Sequence, residues 1–132
     1  MANYEGKTKS NIFKVTDVVK FGNIMENCVA DWEDAIEYNV RGNDVEFTCD
    51  GVFGGIADNA ENMDGWDKFI EEIQSILAPD SVCIITEIGA EDMDYLVAES
   101  TLLTRTKSEV LQLSNYAEKR AAELLKGGNI NE

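Results

Sequence analysis

Between Asp64 and Pro79 the apolar residues Trp66, Phe69, Ile70, Ile73, Ile76 and Leu77 fall three and four positions apart. That spacing puts them on one face of an α-helix. Asp64 is a natural N-cap with Asp67 three residues on, and Ala78-Pro79-Asp80 stops the helix. The same period appears at Phe21, Ile24, Met25 and Cys28, where Thr16 or Asp17 can cap a helix. Gly22 weakens that helix by about 1 kcal/mol relative to alanine.

Elsewhere the period is two. Ile36, Tyr38 and Val40 alternate with Glu37 and Asn39, and Val45, Phe47 and Cys49 alternate with Glu46, Thr48 and Asp50. Each run puts one face on a core. Arg41-Gly42-Asn43-Asp44 between them has the residues of a hairpin turn. Asn11 to Val15 reads as a short first strand. Ser81 to Ile88 reads as a strand, Gly89 to Asp94 as a turn, Tyr95 to Thr104 as the returning strand, and Glu109 to Leu113 as a third. Asn115 with Glu118 resembles a capping box for a last helix ended by Gly127-Gly128, with Tyr116, Ala117, Ala121, Leu124 and Leu125 expected inward. Tyr38 and Tyr95 are also expected on inward faces. Gly51-Val52-Phe53-Gly54-Gly55 suits a bulge or tight bend better than a phosphate cradle, because no lysine follows until Lys68.

The expected order is β-α-β-β-α-β-β-β-α, an α+β fold. An antiparallel sheet of four to six strands carries two or three helices. The 132 residues read as one domain, with about 1–10 and 127–132 expected to fray.

Composition changes the picture through charge. The chain has 26 acidic and 11 basic residues, a formal net charge of −15. From Phe21 to Thr104 there are 20 acidic residues against Arg41 and Lys68 alone. Such a field repels nucleic acid and membranes and attracts basic surfaces. The apolar fraction of 44 % is that of a folded domain, not of a disordered acidic tail. No apolar run is long enough for a membrane span, and the first residues lack the apolar stretch of a signal peptide. The expectation is a cytoplasmic protein. Cys28, Cys49 and Cys83 lie far apart in apolar stretches and read as buried free thiols.

Catalytic hardware is sparse. There is no histidine, which removes the commonest general base and transition-metal ligand. No pair of carboxylates or activated lysine is fixed by spacing, so the reading is a binding protein without cofactor or metal, not an enzyme. Asn62, Asp64, Gly65 and Glu71 fall near the positions of a calcium loop, but Ala60 occupies the first ligand position. A capped helix N-terminus explains the same residues.

What remains is the acidic clusters. The candidate partner-binding residues are Asp31, Trp32, Glu33, Asp34, Asp58, Glu61, Asp64, Asp67, Glu71, Glu72, Glu91, Asp92 and Asp94. One reading is a solvated face. The sharper one is a surface that imitates a nucleic-acid backbone and occupies a basic groove. Trp32 among its acids is either an exposed anchor or ordinary core.

Phe13-Lys14-Val15 followed by Asp17-Val18-Val19-Lys20-Phe21, the aromatic-rich helix at Trp66 to Leu77, and Thr86-Glu87-Ile88-Gly89-Ala90-Glu91 before a hydrophobic strand form a recognisable order. It resembles small acidic proteins carried by phages and conjugative elements of low-GC Gram-positive bacteria. The resemblance implies a mobile-element context, where small acidic proteins often inhibit host defence, as anti-CRISPR and anti-restriction proteins do. The expected partner is then a basic protein surface on a nucleic-acid-binding enzyme. An immunity protein against a basic toxin, or a structural protein of the element such as a homodimer, are the alternatives.

Overall fold

The computed structural model describes residues 4–30, 35–91 and 95–127. In chain order the elements are β1 (Tyr4–Ser10), β2 (Phe13–Lys14), α1 (Val18–Glu26), β3 (Val29–Ala30), β4 (Ile36–Arg41), β5 (Asp44–Asp50), β6 (Phe53–Gly55), α2 (Gly65–Ile76), β7 (Cys83–Glu91), β8 (Tyr95–Leu103), β9 (Ser108–Gln112) and α3 (Leu113–Gly127). The α+β class is as the pattern predicts.

All pairings of the main sheet are antiparallel. β5 pairs with β4 on one side and with β2 and β1 on the other, and the sheet continues β1-β7-β8-β9. The expected fraying over about 1–10 is corrected for residues 4–10, while residues 1–3 and 128–132 lie outside the described residues. Tyr4–Ser10 is an interior strand, bonded to β5 and, over its whole length, to β7. It carries almost no apolar signal because its inward positions are Thr8 and Ser10, both buried. The Ser10 hydroxyl accepts from the Phe47 N–H at 2.9 Å, so this small polar side chain replaces a ladder bond where β1 gives way to β2. Asn11 ties the same point to β7: its side-chain oxygen accepts from Ile84 N and its amide donates to Val82 O.

α1 and α2 cover one face of the sheet. Asp17 accepts from Lys20 N, and Asp64 accepts from Trp66 N and Asp67 N, so both expected caps are in place. Beneath them Phe13, Val15, Phe21, Ile24, Met25, Val45, Phe47, Phe69, Ile73, Ile76, Leu77, Cys83, Ile85 and Leu103 form the buried cluster. Phe69 is its aromatic hub, with ring centroids 5.5 Å from Phe47, 4.9 Å from Phe53 and 5.9 Å from Trp66. Tyr38 packs on Phe21 and sends its hydroxyl to Glu26 at 2.7 Å, the rim position its period implies. Cys49 and Cys83 are buried and Cys28 half-buried, each as a thiol outside any disulfide. Desolvation pushes the Cys28 thiol up to about 12 and raises that of Cys83, so both are protonated at neutral pH.

Two further differences from the sequence reading matter. β3 and β6 form a separate two-stranded sheet where only an irregular connection was expected. The last helix does not pack inward: Tyr116, Ala117, Ala121, Leu124 and Leu125 are all exposed, as is every described side chain of α3. Its first residue follows β9 without a loop, so it leaves the sheet at the edge instead of folding back over the core. Tyr95 starts β8, and its side chain lies outside the described residues.

Candidate acidic site

Six of the candidate carboxylates lie on α2 and the segment before it. The outward stripe of α2 runs Asp64, Asp67, Lys68, Glu71, Glu72 and Ser75, the helical complement of Phe69, Ile73 and Ile76. Asp58 and Glu61 precede it in a segment fastened by Asn59. The Asn59 side chain donates to Ile56 O at 2.8 Å and Met63 O at 3.1 Å and accepts from Met63 N at 2.9 Å. Asp58, Glu61 and Glu72 then share a groove with Lys20, Asn23 and Lys68 between α1 and α2.

The lysines change the electrostatics. Lys68 Nζ lies 3.1 Å from Glu61, 3.0 Å from Glu71 and 3.1 Å from Glu72, and its side chain is only 12 % exposed. Lys20 reaches Glu72 at 3.5 Å. Hydrogen bonding to Lys68 holds the Glu61 carboxyl below its ordinary range, and the bonds to Glu71, Glu72 and Glu61 raise Lys68. Six carboxylates therefore face two lysines, and the patch stays negative but is braced from within. Asp64 is occupied as a cap, while Asp58 and Asp67 are exposed.

The brace has a pH signature. Because the folded pKa of Glu61 is depressed, its contribution to stability is present above the unfolded carboxylate pKa and lost as pH falls through the lower folded value. Lys68→Met leaves the three glutamates facing one another. It is expected to lower the melting temperature at neutral pH and at low salt, and to cost progressively less as acid neutralises them. Thermal melts of both proteins across pH 3–8 (roughly, the span over which carboxylates titrate) check this, and curves offset by a constant amount would contradict it.

Asp31, Trp32, Glu33, Asp34, Asp92 and Asp94 lie outside the described residues, and Glu91 is described only as the last residue of β7, opposite Tyr4 and Tyr95. On the face of the sheet away from the helices, acids and lysines are matched: Lys7 pairs with Asp50 at 3.0 Å, Lys9 with Glu46 at 4.0 Å and Lys14 with Asp44 at 2.9 Å.

Sequence reasoning missed one arrangement. Glu87 and Glu99 are direct cross-strand partners on β7 and β8, on the helix side of the sheet. They line a cleft with Thr8, Ile85, Thr101 and the rings of Phe53 and Trp66. Gln112 donates to Glu99 at 3.1 Å. Like charges directly opposed weaken a ladder, and carboxylates beside aromatic faces favour a cation. The signal was present in the two alternating runs, but it needed the hairpin register to bring the two glutamates together.

Among the described residues no group of three or more Cys, Asp or Glu is placed to hold a metal ion, and no helix is long and apolar enough to cross a membrane. Comparison of the chain with protein-family models, with curated proteins and with solved structures gives no match.

Proposed function

We propose that this chain is an acidic binding protein that inhibits a nucleic-acid-binding enzyme of a bacterial host, such as a CRISPR effector or a restriction complex, by occupying its basic surface. The observation that carries the reading is the outward stripe of α2, where negative charge remains in excess after Lys20 and Lys68 have made their pairs. A rigid helix holds those charges at fixed spacing, so binding loses little side-chain order beyond what folding has already cost.

Spacing refines what is imitated. From Asp64 to Glu72 the helix advances about 12 Å, at 1.5 Å per residue. Four carboxylates and one lysine occupy that length, which leaves one net charge per roughly 4 Å. Duplex DNA carries one per about 1.7 Å of axis, and a single strand one per about 3.4 Å. Lys20, paired with Glu72 from α1, lowers the net density of the stripe further, so the stripe is nearer in density to one strand than to a duplex, and the favoured target is a channel that holds single-stranded nucleic acid. The Glu87–Glu99 cleft, with Phe53 and Trp66 beside it, supplies a second point suited to an arginine or lysine of the partner.

The test is competition. Purified guide-loaded CRISPR nucleases and restriction complexes are incubated with fluorescent single-stranded and duplex DNA and titrated with the chain. Displacement of DNA that weakens steeply between low and high salt is expected. Combined Asp58→Lys, Asp67→Lys and Glu71→Lys should weaken it by about 100-fold, since each reversed charge then opposes a basic surface. Asp64 is left alone because it caps the helix. Affinity unmoved by salt and by the triple reversal removes the proposal. Tight, salt-sensitive binding to a basic toxin with no effect on DNA enzymes would instead assign the immunity role.

A further inference from the structure

We infer that the chain forms a two-fold homodimer in which the α3 helix of each copy lies across the apolar groove of the other. The groove is on the face of the sheet opposite α1 and α2. Its volume is about 470 Å³, and Ile88, Ala98, Leu111, Leu113 and Tyr116 line it. Cross-strand register explains the lining, since Ile88 pairs with Ala98 and Ser100 with Leu111. Only the first turn of α3 reaches it. Leu125 lies nine residues beyond Tyr116, about 14 Å further along the helix axis.

The distal helix is left without a partner of its own. Leu113, Tyr116, Ala117, Ala121, Leu124 and Leu125 follow a helical stripe, yet all are exposed, Leu125 at 85 %. A helix of 15 residues is marginal in water unless its apolar face is covered. The exposed fractions of Ile88 (63 %), Leu111 (44 %), Leu113 (61 %), Tyr116 (60 %), Leu124 (48 %) and Leu125 amount to roughly 700 Å² per copy, near the about 800 Å² each partner gives to a standard interface.

The exposed area, together with a helix and a groove on the same molecule, identifies the occupant as a second copy. Residues 105–127 carry five basic and three acidic side chains, the reverse of the chain as a whole. A basic partner is repelled by α3, and an acidic one is drawn to it. A second copy of this chain offers the matching groove, on a face where Lys7, Lys9 and Lys14 are paired with Asp50, Glu46 and Asp44 and leave no excess positive charge to oppose α3. Helix and groove sit on one molecule, so a two-fold axis satisfies both at once and closes the assembly. β9, at the open edge of the sheet beside the groove, is covered in the same step.

This inference is independent of the proposed function, and salt separates the two. Partner binding through carboxylates weakens with salt, whereas an apolar interface persists. Sedimentation velocity on the full chain, at concentrations up to about 100 µM and salt up to roughly 0.5 M, measures the mass. The expected mass is twice the 14.6 kDa of the chain at both low and high salt. Leu125→Glu and Ile88→Glu, both at exposed positions, should each give monomers that lose at most the helical signal of α3 and keep the strand signal and cooperative melt of the core. A wild-type monomer throughout, a dimer that survives both substitutions, or open-ended polymers would each overturn it.

Discussion

A chain that begins at Asn11 is expected to show no cooperative unfolding transition. The deleted residues include β1, which among the described residues is the only strand joining the β5 side of the sheet to the β7 side. Without it the β2-β4-β5 group and the β7-β8-β9 group keep their own ladders but lose their common sheet. Thr8 and Ser10 would also leave the floor beneath α2, opening Phe47 and Ile85 to water. The loss is expected to exceed the about 5–15 kcal/mol that holds a domain of this kind together. Circular dichroism melts and proton–nitrogen spectra of the truncated chain test this. A sharp transition near that of the full chain would mean that β1 is dispensable. Deleting only Met1 to Asn3, which precede the strand, serves as the control and should change little.

The reason this strand escaped the sequence reading is physical. Pattern analysis detects strands by apolar alternation, and β1 alternates lysine with small hydroxylated residues. Its neighbours and the helices supply the bulk above it, so the central position needs only small side chains that satisfy their own hydrogen bonds. The β4–β5 hairpin and α2 were legible for the opposite reason: each carries its own apolar face, and the Gly42-Asn43 turn and the Asp64 cap mark its end. α3 was legible as a helix but not as an exposed one, because a hydrophobic stripe states that a face will be covered and not by which molecule. For the candidate site, the charge density of α2 could be read directly. The internal brace could not, since Lys68 gathers Glu61 from outside the helix and Lys20 arrives from α1. β3 and β6, two and three residues long, carry too few positions for any period to show.

The same brace bears on how the surface would act. Surface ion pairs add little to stability individually, but three pairs converging on the ammonium of one largely covered lysine side chain fix the geometry of their carboxylates. A partner's arginines then meet charges already positioned, with Asp58 and Asp67 free of the brace and exposed beside it. The cost is a lower charge density than bare counting suggests, which is why the stripe matches a single strand better than a duplex.

Gly55→Ala is expected to destabilise the protein by about 3 kcal/mol or more, a fall of roughly 10 °C in melting temperature. Two separate costs combine there. Gly55 has φ +66°, in the left-handed region that alanine enters only with strain. In addition, a Cβ at Gly55 would overlap the Gly65 carbonyl and crowd Trp66 N, backbone atoms that cannot turn aside. This contact is where β6 meets the first turn of α2, and Ile56 N donates to Gly65 O at 3.0 Å beside it. Gly42 separates the two costs, because its φ is +65° but nothing lies within 4 Å of a built Cβ. Gly42→Ala should therefore cost only about 1 kcal/mol. Urea denaturation of the two variants gives the difference directly. Because α2 must shift to admit the Gly55 methyl, that variant should also bind its partner less well than Gly42→Ala does. Equal losses of stability in the two variants would show that the approach of β6 to α2 is not tight enough to position the acidic stripe.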